Sequence, residues 1–214
     1  MVHAIYPRLQ CQLVSYSFPF LLASSNILSA PTPLPTVGAG LKLAHVAIGR
    51  GTQNYTCATA SPTEAPVQVG ALASLFNATC SVVRAPNVLA DVTNLALNYA
   101  IPTAEIAQRL LSGHHEFTKA SETKASVPRF ELNTNLHKYG YIEAKKNGSS
   151  NPPANASPGT NGLGSVTWLK LTAIEGNFKE VYRINTAGGV APKTCEGITG
   201  DFTVPYAAEY WFYA

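Results

Sequence analysis

Charge is scarce in this 214-residue chain: Asp, Glu, Lys and Arg make up 13% of it, against an ordinary share of about 25%. With 46% hydrophobic residues, that scarcity excludes a disordered chain, which pairs low hydrophobicity with high charge. The net charge is only +3, and Lys145-Lys146 is the one adjacent basic pair. The dense basic stripe of a nucleic-acid binder is therefore missing, and the pair reads as solvated surface. No apolar run reaches the ~20 residues of a membrane-spanning helix, so no transmembrane segment is expected. Repeats and heptads are absent too.

Missing motifs narrow the chemistry further. No G-x-S-x-G elbow marks a nucleophile, and neither C-x-x-C nor H-E-x-x-H is present. A dinucleotide fingerprint needs G-x-G-x-x-G between a strand and a helix. Gly49-Arg50-Gly51-Thr52-Gln53-Asn54 ends in Asn, and Gly38-Ala39-Gly40 runs into Leu41-Lys42-Leu43. Gly188-Gly189 precedes Pro192 without a helix signal and reads as turn backbone. No cofactor is expected.

What is present points outward from the cell. Residues 1–30 read as a signal peptide or a disordered N-terminus: Arg8, then Val14, Phe18, Phe20, Leu21, Leu22 and Ala23, with cut candidates at Ala23-Ser24-Ser25 and Leu28-Ser29-Ala30. Residues 31–40, with Pro31, Pro33 and Pro35, read as a stiff linker, and 41–214 as one β-rich domain. Sequons stand at Asn54, Asn77, Asn147 and Asn155. Side chains alternate faces on a strand, so at 53–57 a solvent-facing Asn54 and Thr56 turn Tyr55 and Cys57 inward. The same parity at 77–80 turns Cys80 inward. With Cys11 in the presumed signal, Cys57, Cys80 and Cys195 remain. An oxidising compartment favours a disulfide; Cys57–Cys80 is the favoured pairing, and Cys195 is an alternative partner for either.

Apolar stretches with β-branched and aromatic residues predict strands at 41–48 and 53–58, joined by a Gly49-Arg50-Gly51 turn, and at 67–78, with a bulge at Gly70. Short strands follow at 128–132 and 139–144, and longer ones at 165–173, 179–185 and 204–213. Glu175-Gly176-Asn177 turns the 165–173 and 179–185 strands into a hairpin. Helices are predicted at 88–100 and 103–111, the second stopped by Gly113, and an exposed glycan-bearing loop at 147–164. The fold class is mostly β: a sandwich or barrel-like single domain with one or two short helical insertions.

The blocks GRGTQNYTCA, GALASLFNATC, GHHEF, TWLKL, VYRINTAGGVAPKTC and VPYAAEYWFY run in order over 41–213. They resemble the motif blocks of a secreted fungal family of unknown function, whose members often carry an automatic "malate dehydrogenase" label. The resemblance implies a fungal source and secretion. It implies no established activity and no catalytic residues, and the failed fingerprints argue against a true malate dehydrogenase.

Candidate chemistry is thin. His114, His115 and His137 supply metal-binding side-chain types, but adjacent residues point apart on helix or strand. Glu209 stands among Tyr206, Tyr210, Trp211 and Phe212, where a carboxyl can be held protonated. A glycosidase would pair it with Glu131, Glu180 or Asp201. A solvent-facing position on an edge strand is its plainer reading. Arg183 suits a carboxylate ligand or a surface acid. The reading favoured overall is a secreted, non-catalytic glycoprotein that binds carbohydrate or a wall or matrix surface. A hydrolase using Glu209, with His115 as a further candidate, and a signalling or host-interaction protein are the alternatives.

Overall fold

The computed structural model of the protein describes residues 30–119 and 126–214. The segment read as a signal peptide, with Cys11, lies outside the described residues as far as Ser29. Eight strands follow one another around a closed barrel: β1 (Leu43–Cys57), β2 (Val67–Asn77), β3 (Leu111–Lys119), β4 (Ser126–Asn133), β5 (Lys138–Ser150), β6 (Trp168–Gly176), β7 (Glu180–Gly188) and β8 (Gly200–Tyr213). Each pairs antiparallel with the next, and β8 returns to β1 along its full length, from Leu43↔Tyr213 to Cys57↔Gly200. Three short helices stand between β2 and β3: α1 (Thr79–Arg84), α2 (Pro86–Leu97) and α3 (Glu105–Gln108). The single β domain expected from sequence is thus a barrel with helical insertions.

Alternation along the strands builds two apolar layers. One fills the barrel: Leu75, Phe130, Leu132, Ile142, Tyr206, Tyr210 and Phe212 meet small residues such as Ala47, Ala73 and Ala208. The other clothes the outside of β1, β7 and β8, where Val46, Ile48, Tyr182, Ile184, Trp211 and Tyr213 pack beneath Val82, Val92 and Ala96 of the helices and Leu34 of the N-terminal segment. Burial on both faces accounts for the unbroken aromatic run of β8. Arg50 fastens α2 to the wall, donating from Nε to the Ala96 carbonyl at 2.9 Å and from Nη2 to that of Leu97 at 3.4 Å. A cation there satisfies the last carbonyls of the helix and opposes its dipole.

Several expectations need correction. No turn breaks β1 at Gly49-Arg50-Gly51. Those glycines make room instead: a Cβ on Gly49 would stand 2.5 Å from the Tyr210 ring, and one on Gly51 would strike the Leu72 carbonyl. The helix predicted at 103–111 shrinks to α3, with Ile106 77% exposed, because Leu111 already belongs to β3 and Gly113 sits inside that strand. β5 continues to Ser150, so Asn147 lies on a strand and the loop begins after it. Cys80 lies on α1, which voids the strand parity drawn for 77–80. The favoured Cys57–Cys80 bridge is replaced by its alternative, Cys57–Cys195. The reason is closure: the end of β1 pairs with the start of β8, and Cys195 lies just before β8.

The 31–40 stretch, expected as a linker, is a strap bonded to the outer wall. Lys170 Nζ donates to the Thr36 carbonyl at 2.6 Å, and Tyr182 Oη to that of Pro35 at 2.8 Å. The Gly38 amide donates to Glu180 Oε2 at 3.1 Å, while Glu180 Oε1 meets Lys170 Nζ at 2.8 Å. Proline-fixed backbone holds these carbonyls toward the wall with little entropy to lose.

Candidate functional site

Side chains fill the barrel except at the end where β1, β3, β5 and β7 finish. There a cavity of about 410 Å³ opens between Phe117, Val127, Phe130, Leu169, Leu171 and Tyr210. Polar side chains are set among these apolar ones. A bulge sets Gly70 opposite Asn54 but Gln68 opposite Tyr55, and Gln68 thereby comes to face Gln53. Gln68 Nε2 donates to Gln53 Oε1 at 2.5 Å. Gln53 is fully buried, and its Nε2 has no hydrogen-bond partner among the described residues.

Two other buried polar groups face the cavity, with Ser126, Lys145, Lys146 and Thr167 nearer solvent. Arg183 is 8% exposed, and its Nε and Nη2 donate to the Thr167 carbonyl at 3.2 and 2.8 Å. No carboxylate among the described residues forms an ion pair with it. His115 stacks on Phe130 with ring centroids 4.2 Å apart and shares a 2.9 Å hydrogen bond between Nδ1 and the Arg129 carbonyl. Since a carbonyl only accepts, Nδ1 carries the proton and Nε2 of the neutral ring is left as an acceptor. Burial, aided by the Arg183 cation, lowers the His115 pKa to about 4. The site therefore presents apolar walls, one buried cation, two exposed lysines and a spare amide N–H.

A family model matches residues 38–214, which takes in every strand of the barrel. The chain belongs to the family described as Protein of unknown function (DUF3455). No curated protein and no solved structure matches this DUF3455 chain. The DUF3455 match opens at Gly38, the residue whose amide is held by Glu180. All strand pairs of the DUF3455 barrel are antiparallel among the described residues, whereas the fingerprint of a dehydrogenase needs a β-α-β crossover.

The remaining sequence candidates scatter over the DUF3455 barrel. Glu209 is 1% exposed on the outer face of β8, which is no edge, so the solvent-facing reading is overturned. Its Oε1 accepts from Asn185 Nδ2 at 2.9 Å and its Oε2 from Trp211 Nε1 at 2.8 Å. Burial raises its pKa, and these two bonds oppose the rise. Glu180 pairs with Tyr213, four positions along β8, or roughly 13 Å at strand rise. Asp201 is exposed at the far end of β8, and Glu131 is held by Arg129 at 2.6 Å on β4. No glycosidase pair forms around Glu209. His114 is exposed, on the opposite face of β3 from His115. His137 bonds the Arg109 carbonyl through Nε2 at 2.8 Å and stacks on Tyr139. The three imidazoles do not converge, and no cluster fit to hold a metal occurs among the described residues.

Sequence reasoning missed Gln53 and Gln68 altogether. Gln53 shares the inward parity of Tyr55 and Cys57, and a polar residue at a core-facing position was the available signal. It also missed His45, whose Nε2 lies 2.8 Å from Ser112 Oγ and whose Nδ1 lies 3.4 Å from Thr79 Oγ1. Ser112 is fully buried and no described cavity reaches it, so the contact ties β1 to β3 and α1. Burial, with the His137 charge second, lowers the His45 pKa to about 4. His45 and His115 both stay neutral when folded but take up protons near pH 6.5 when unfolded. Stability should be full above that pH and fall as pH drops from 6.5 toward 4. Guanidinium midpoints across that range check this; a midpoint that rises on acidification contradicts it.

Proposed function

We propose that this DUF3455 protein is a secreted, N-glycosylated, non-catalytic binding protein of the fungal wall or matrix that holds a small ligand in the open end of its barrel. The cavity carries the reading. Its volume of about 410 Å³ falls in the range of ligand sites, about 300–1,000 Å³, and its lining combines apolar walls with polar groups that can orient a ligand. An eight-stranded barrel is the size that encloses one small ligand. The Cys57–Cys195 bridge suits an oxidising compartment, and Asn147 and Asn155 stand exposed for glycans. Phe117, 38% exposed at the lip, offers the apolar face of an entering ligand a stacking surface.

The test has two arms. Intact mass of protein from a fungal host should show a cleaved N-terminus and added hexose. Backbone-amide NMR titrated with mixtures of oligosaccharides, fatty acids and aromatic fragments should show shifts clustered at Gln53, His115, Leu169 and Arg183. A second hollow of about 640 Å³ lies between the helices and the outer wall, lined by Ile48, Phe76, Val92 and Leu110. Shifts confined to that hollow, or none at all, would remove the barrel end as the site.

A further inference from the structure

We infer that the barrel end selects an amphipathic monocarboxylate, its apolar body against Phe117, Phe130, Leu169 and Leu171 and its carboxylate at Arg183. The inference rests on the cavity being the binding site and adds the chemical class of its occupant. Two independent observations carry it. The first is Arg183, nine-tenths buried with no acid partner among the described residues. Its fork spends Nε and Nη2 on the Thr167 carbonyl and also bonds the Tyr210 hydroxyl, and of its five N–H groups some still remain to donate. A buried cation without an anion is costly, and a planar carboxylate is the anion that fits an arginine fork. The second is the Gln53 amide, whose Nε2–H is buried on the same cavity without an acceptor. Both vacancies ask for acceptor oxygen, and an apolar ligand would fill neither.

Charge and size narrow the class. No Asp or Glu lines the cavity, and Lys145 and Lys146, exposed on β5, belong to its lining at the mouth. They draw anions toward the mouth without being buried with them. His115 stays neutral at pH 7, so Arg183 is the one buried charge in the lining. One buried cation balances a monoanion; a phosphate dianion would have to draw its second charge from the exposed lysines Lys145 and Lys146. At about 30 Å³ per water, the volume equals roughly a dozen waters, and so admits on the order of a dozen non-hydrogen atoms.

The experiment uses the disulfide-bonded, secreted protein and compares phenylbutyrate and octanoate with phenylbutyramide and octanamide, by calorimetry and amide NMR at pH 7. The acids should bind about tenfold to a hundredfold more tightly than their amides, the ratio that a charge-assisted hydrogen bond supports. Arg183→Gln should erase that ratio while the amides bind as before. Replacing Lys145 and Lys146 by Gln should keep the ratio and slow association at low salt. Acids and amides binding equally at the cavity overturn the carboxylate class but leave the cavity reading standing. No shift at the cavity with any probe removes the cavity reading itself. Octyl phosphate binding more tightly than octanoate overturns the monoanion, and an acid preference surviving in Arg183→Gln overturns the role given to that residue. Should Arg183→Gln misfold, the acid–amide ratio of the unaltered protein still decides.

Discussion

Cys195→Ala should lower the stability of the barrel by about 5 kcal/mol. The Cys57–Cys195 bridge closes a loop with a sequence separation of 138, and closing so long a loop removes about that much from the unfolded state on the chain-entropy model. A domain of this kind has about 5–15 kcal/mol in all, so the loss is a third or more of the total. Both cysteines are 2% exposed, so the loss includes their packing as well as the bond. Guanidinium unfolding with and without reductant measures it. The unaltered protein should shift strongly on reduction, and Cys195→Ala should not shift further. Cys80→Ala should keep its sensitivity to reductant; a Cys80 variant that lost it would contradict the pairing.

Lys170→Met should cost about 3–5 kcal/mol, because it strands Glu180 as a buried, uncompensated carboxylate. The two side chains are 4% and 10% exposed, and their 2.8 Å contact lies under the strap. The substitution removes the donor to Thr36 in the same stroke. A second substitution, Glu180→Gln, should recover part of the loss by removing the stranded charge, although the Gly38 amide then meets a weaker acceptor. Thermal melts of the single and double variants give the energies. Limited proteolysis should cut residues 31–41 faster in Lys170→Met than in the unaltered protein. Equal cutting would mean that the strap is held by its proline and leucine contacts, not by this pair.

Legibility in the sequence followed the range of the interactions. The 165–173, 179–185 and 204–213 strands were readable because β-branched and aromatic residues concentrate there, and Gly176 marks the turn, with φ of 120°. Gly70 was readable as a bulge because a glycine interrupts an apolar strand. Whatever depended on a partner far along the chain was not readable. The Gly49-Arg50-Gly51 turn failed because those glycines answer to Tyr210 and Leu72, which local pattern cannot see. Cys57–Cys80 failed because nearness in sequence stood in for nearness in space. The 103–111 helix failed because Ile106, Leu110 and Leu111 repeat at helical spacing while Leu111 is claimed by pairing with Phe76. At the candidate site, Arg183 and His115 were visible as residue types. Their convergence with Gln53 needed the barrel to close, and so it could not be read from any one segment.

Closure also has a consequence for how the polypeptide is made. β1 is synthesised first and its second neighbour, β8, last, with the Lys42 amide bonded to the Ala214 carbonyl at 2.9 Å and the Ala214 amide to the Lys42 carbonyl at 3.0 Å. Until the fourteen-residue β8 is in place, the margin of β1 that it pairs with has no such mate, and an unpaired margin is a template for pairing with other chains. Among the described strands, this seam joins those farthest apart in sequence, and such contacts form slowly because the intervening chain must be ordered first. Closure of the barrel therefore hinges on β8 reaching β1, beside the covalent bridge that joins the same two regions.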